Sequence, residues 1–128
     1  MSAVVSEWIA KAEADYATAR RELAATETPN HDAVCFHAQQ CAEKLMKALL
    51  IQKGVTPPKV HDLVTLDRLL QPVCSAWSWP VEDLRLLTRA AIDFRYPGES
   101  ADLPEAHAAF DACTRLRSAI GALLAVQP

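Results

Sequence analysis

Between Phe36 and Lys47 the chain sets His37, Gln40, Lys44 and Lys47 at helical spacing. These residue types can hold an anion. Lysine supplies fixed charge, glutamine both a donor and an acceptor, and histidine a group that changes charge near neutral pH. Lys59 and His61 follow, and Arg95 and Tyr96 lie further along. Lysine and arginine neutralise phosphates, and an aromatic ring such as Phe36 or Tyr96 can stack on a base. The chemistry that fits His37, Gln40, Lys44, Lys47, Lys59, His61, Arg95 and Tyr96 together is binding of a nucleotide or RNA. From Ala33 to His61 there are four lysines and one acid, a basic strip in a chain whose net charge is −3. The bland alternatives stay open: a solvated helix face, Glu43 and Lys47 as an i,i+4 pair, and His61 as part of a helix cap with Asp62.

Other chemistries find no support. There is no Gly-rich phosphate loop, no Ser–His–Asp order and no zinc signature. Cys35, Cys41, Cys74 and Cys113 make no CxxC pair and are expected as small buried thiols in a reducing compartment. His31 is expected in a solvated loop and His107 on an acidic surface, so no convergent metal ligands and no cofactor are expected. No apolar run is long enough to span a bilayer, and the N-terminus lacks the pattern of a signal peptide. A cytoplasmic protein without a membrane role is the expectation.

These groups need elements to position them. The 128 residues suit one domain spanning 1–128, and scarce Gly with abundant Ala and Leu points to helices. Five are predicted. The first, about 2–25, carries the stripe Val5, Trp8, Ile9, Ala12, Tyr16, Ala19 and Leu23. The second, about 32–53, is capped by Asn30 or Asp32 and closed at Gly54. The third starts at His61 or Asp62 and ends at Pro72. The fourth follows Pro80 to about Phe94, and the fifth covers about 103–125. An all-α, up-and-down bundle of about five helices follows.

On a wheel of the second helix, Val34, Ala38, Cys41, Leu45 and Leu49 form the core face. Phe36, Gln40, Glu43 and Lys47 fall within roughly 60° on the opposite, outer face, flanked by His37 and Lys44. Phe36 among polar neighbours is uncovered unless something packs on it, which marks it as an interface residue.

Three blocks carry a resemblance: PheHisAlaGlnGlnCysAlaGluLysLeuMetLysAlaLeuLeu at 36–50, ProProLysValHisAspLeu at 57–63 and ArgTyrProGly at 95–98. Their order and spacing resemble the HEPN domain family. The resemblance implies a helical bundle that often forms homodimers and often works with a small nucleotidyltransferase partner. Many members are RNases acting as toxins, while others bind nucleotides or are inactive.

RNases of that family resemble one another in an Arg followed, after roughly four to six intervening residues, by a His, a pair suited to proton transfer and oxyanion stabilisation. Here Arg89 is followed at those gaps by Phe94, Arg95 and Tyr96, with no His. Three functions remain in view. The first is a nucleotide- or RNA-binding module in a toxin–antitoxin-type system. The second is an inactive dimerisation or partner-binding subunit. The third is an RNase whose site is built from Arg95, Tyr96 and a His from elsewhere.

Overall fold

In the computed structural model, residues 2–125 are described. They form five helices: α1 (Ala3–Ala24), α2 (His31–Gln52), α3 (Leu63–Leu70), α4 (Val81–Asp93) and α5 (Leu103–Ala125), with no strand among the described residues. The architecture is the all-α bundle expected.

Local chemistry sets the boundaries. Ser2 caps α1 by accepting from the Val5 amide. The Asn30 side chain, rather than that of Asp32, caps α2 by accepting from the Ala33 amide at 3.0 Å. Gly54, at φ +83°, closes α2. The Gly54 amide donates to the Ile51 carbonyl and the Val55 amide to the Leu50 carbonyl, which satisfies carbonyls the helix cannot reach itself. Asp62 caps α3 through the Val64 amide, so His61 has no capping role. Pro80 precedes α4.

α2 runs through the middle and packs against all four other helices, whereas α1 meets only α2 and α5. Thirteen of its 22 residues are buried, including Glu43 and Lys47. The expected outer face therefore needs correction. Glu43 and Lys47 do not face solvent, because α2 is covered on more sides than one amphipathic stripe allows. The core around α2 is built from Met46, Leu49, Leu63, Leu66, Leu84, Leu87, Leu116 and Ile120. The expected core face Val34, Ala38, Cys41, Leu45 and Leu49 is buried throughout.

All four cysteines are buried and free. Burial, then the nearby Asp32, Glu105 and Asp102, pushes the Cys35 thiol up to about 11. A hydrogen bond with Cys113, followed by burial, raises the Cys41 thiol well beyond the ordinary range. Thiols held protonated in this way are poor nucleophiles.

Candidate functional site

Two polar networks grow from α2. In the first, Asp15 of α1 lies 9% exposed against α2. Its carboxylate holds the His37 Nδ1 at 2.7 Å and accepts from Lys44 Nζ at 2.5 Å. Asp15 sits between Ala12 and Ala19 on the buried stripe of α1. Sequence reasoning missed it, although a lone acid inside an apolar stripe was the available signal.

The second network centres on Glu43. Its Oε2 accepts from Lys47 Nζ and its Oε1 from Gln39 Nε2, at 3.0 and 3.1 Å. The His61 Nδ1 lies 3.0 Å from the same Oε1. Gln39 also donates to the His61 carbonyl, which ties the connection ahead of α3 onto α2. Gln40 Nε2 donates to Gln39 Oε1, so the Gln40 amide is oriented by its neighbour. Lys47 also lies over the Trp8 ring, 5.7 Å from its centroid. A buried Lys–Glu pair with further hydrogen bonds to its carboxylate is stable where it stands, and its charge is spent inside the protein.

The open chemistry lies where α2 meets α4. A cleft of about 240 Å³ runs between them and the start of α3. Phe36, Gln40, His61, Thr88, Ile92 and Arg95 are among its walls. An adjoining cleft of about 270 Å³ shares Phe36 and Arg95 and adds His37, Asn30 and Phe94. The Arg95 guanidinium has no hydrogen bond or ion pair among the described residues. Phe36 is 38% exposed, and its ring meets the His37 ring edge to face.

The structure thus gathers five of the residues singled out by sequence: Phe36, His37, Gln40, His61 and Arg95. It does not gather the rest. Lys47 is locked into the Glu43 network and Lys44 onto Asp15. Lys59 is exposed on the connection before α3 and lines neither cleft, and Tyr96 stands exposed just beyond Arg95. His31 opens α2 half-buried rather than in a solvated loop, and His107 is exposed on α5. Asp62, Thr88 and Ile92 also line the first cleft and were not foreseen. Among the described residues no group of three or more His, Cys, Asp or Glu is placed to hold a metal ion, and no helix is long and apolar enough to cross a membrane.

The fold and the chain have known kin. No functionally curated protein matches this chain. The crystal structure of TT1696 from Thermus thermophilus superposes with a TM-score of 0.74 at 23% identity, covering 92% of this chain and 96% of that one. The crystal structure of ST0689, an archaeal HEPN homologue, superposes with a TM-score of 0.69 at 24% identity, covering 97% and 99%. At such identities the likeness speaks for the fold alone. The HEPN domain itself matches over residues 5–123, nearly the whole chain, and this protein therefore belongs to the HEPN domain family.

Proposed function

We propose that this chain is a nucleotide- or RNA-binding HEPN module whose ligand lies in the clefts between α2 and α4. The observation that carries the reading is Arg95. Its unpartnered guanidinium shares one cleft with the exposed Phe36 ring and the oriented Gln40 amide. A cation with free donors suits a phosphate, and an exposed ring beside it suits a base. Lys44 and Lys47 hold no part of the ligand in this reading, because both are engaged with carboxylates. Action as a homodimer, with a small nucleotidyltransferase in a toxin–antitoxin-type system, rests on family kinship. The exposed Phe36, Ile92 and Tyr96 support a role in pairing.

Calorimetry with ATP, AMP and short single-stranded RNAs tests the binding reading. Arg95→Ala is expected to weaken binding by about tenfold, the weight of a charge-assisted hydrogen bond. Absence of heat with every ligand at millimolar concentration overturns the reading.

A second reading, RNA cleavage, draws on His37. Asp15 fixes one ring nitrogen, and the ring shares the adjoining cleft with Arg95. A histidine oriented by a carboxylate can take the proton from a ribose 2′-hydroxyl as that oxygen attacks phosphorus. Arg95 would meet the charge gathering on the phosphate oxygens, and water would protonate the departing 5′-oxygen. Metal-free incubation that yields 2′,3′-cyclic phosphate ends, abolished in His37→Ala, supports this reading; intact RNA after incubation removes it.

A further inference from the structure

One polar group in the cleft between α2 and α4 has its direction decided before any ligand arrives. Gln39, 2% exposed, forms part of the cleft wall. Its Nε2 donates to the Glu43 carboxylate at 3.1 Å and to the His61 carbonyl at 2.9 Å. Both partners only accept, so the Gln39 amide has a single orientation. Turned over, it would set its own oxygen against two others. Glu43 is held in turn, 4% exposed, by Lys47 Nζ at 3.0 Å.

The orientation passes outward from this buried pair. Gln39 Oε1 can only accept, and it takes an N–H of Gln40 at 2.8 Å. The Gln40 nitrogen is thereby turned to Gln39. Its Oε1 and its second N–H have no partner among the described residues. A solitary surface glutamine turns over and offers oxygen or nitrogen alike. Here the choice is fixed through Gln39, and the cleft is offered an acceptor with one N–H beside it.

The neighbours of this amide narrow what can meet it. Phe36 precedes Gln40 by one turn on the same face of α2, and both line the cleft with Arg95. A base stacked on the Phe36 ring can turn its edge to the amide while its phosphate meets Arg95. An amide pairs best with an N–H donor and an acceptor side by side. Adenine offers its amino group next to a ring nitrogen on both open edges. The N7 edge of guanine carries acceptors alone and would set them against the Gln40 oxygen. We propose that this cleft selects an adenine nucleotide, with Gln40 Oε1 accepting from the N6 amino group and Gln39 acting as the positioning residue that turns Gln40 towards it. This rests on the nucleotide-binding reading and gives that site a base preference.

Calorimetry with AMP, GMP and purine riboside 5′-monophosphate tests the preference, the last differing from AMP only in lacking the amino group. The wild-type chain is expected to bind AMP at least about fivefold more tightly than either of the others, the weight of one hydrogen bond. Gln40→Met removes the acceptor, and Gln39→Met releases Gln40 from its orientation. Each is expected to bring the ratio of AMP to purine riboside monophosphate affinity close to one, with circular dichroism confirming that the variant is helical. The ratio separates positioning from structural support, because a loosened cleft weakens both nucleotides alike. The wild-type comparison needs no variant. An AMP affinity no greater than that of GMP or of the analogue overturns the preference and leaves the nucleotide-binding reading standing. A ratio that persists in Gln40→Met or in Gln39→Met overturns the relay between them. No heat with AMP while short RNAs bind overturns this inference alone, and no heat with any ligand overturns it together with the reading it rests on.

Discussion

α2 and α4 both carry cations beside acids, and they use them in opposite ways. On α2, Lys47 and Lys44 are each bonded to a carboxylate, Lys47 inside the protein and Lys44 at its margin. On α4, Arg89 has no partner in its own chain among the described residues, nor does Arg95 just beyond the helix end. Basic residues in a sequence look alike as candidates for binding an anion. What separates them is whether a carboxylate has already been brought to them. In α2 the cations serve the fold; around α4 they remain available to something else.

The sharpest way to break this comparison is to remove the carboxylate at its centre. Glu43→Ala leaves Lys47 buried without its partner and frees the tether at His61. Breaking a buried pair from one side costs about 3–5 kcal/mol, so chemical denaturation should show a loss of that order. Arg95→Ala, measured in the same way, should change stability by no more than about 0.5 kcal/mol, as expected for a surface change. A large loss for Arg95→Ala and a small one for Glu43→Ala would invert the comparison.

A smaller effect is expected at Asp15, where one partner is less deeply enclosed. Asp15→Asn keeps the volume and a hydrogen bond but loses the charge facing Lys44. A loss of about 1–2 kcal/mol is expected, because a hydrogen bond to a charged group weakens to a neutral one. It should diminish in high salt more than the Glu43 effect does, since Lys44 is 21% exposed and Lys47 7%.

An effect confined to alkaline pH involves no ion pair. Cys35 ionises at about 11 in the folded chain, against an ordinary value of 9.0. Between those values the unfolded chain releases a proton that the folded chain keeps. The corresponding stability is fully present below 9.0 and is lost as pH rises toward about 11. Denaturation midpoints on either side of that window should fall further for the wild type than for Cys35→Ala. Equal falls would show that the thiol contributes nothing to the alkaline loss.

Much of the fold was legible because its signals are local. Asn30, Asp62, Pro80 and Gly54 mark helix ends by their own chemistry, and the structure uses each of them there. The buried face of α2 was legible from periodicity for the same reason. The site was legible only in part, because which side of α2 meets water depends on what the rest of the chain lays over it. A helical wheel assigns one face to the core. It cannot foresee that Glu43 and Lys47 will be enclosed as well, with the segment ending at His61 anchored against them. Nor does it reveal that Asp15, far away in sequence, takes up Lys44 and His37. Arg95 kept its place among the candidates because no acid among the described residues reaches it.

The carboxylate of Asp15 has one further consequence, for the seam between α1 and α2. The buried positions that flank Asp15 on α1 are Ala12 and Ala19. Side chains this small make shallow ridges, and such a surface can slide by a turn against its neighbour with little loss of contact. Asp15 acts as a detent against that slippage. A shift of one turn, about 5.4 Å, would carry its carboxylate away from both His37 and Lys44 and strand it on an apolar surface. The small residues bring the two backbones close, and a single charged residue decides at which notch they stop.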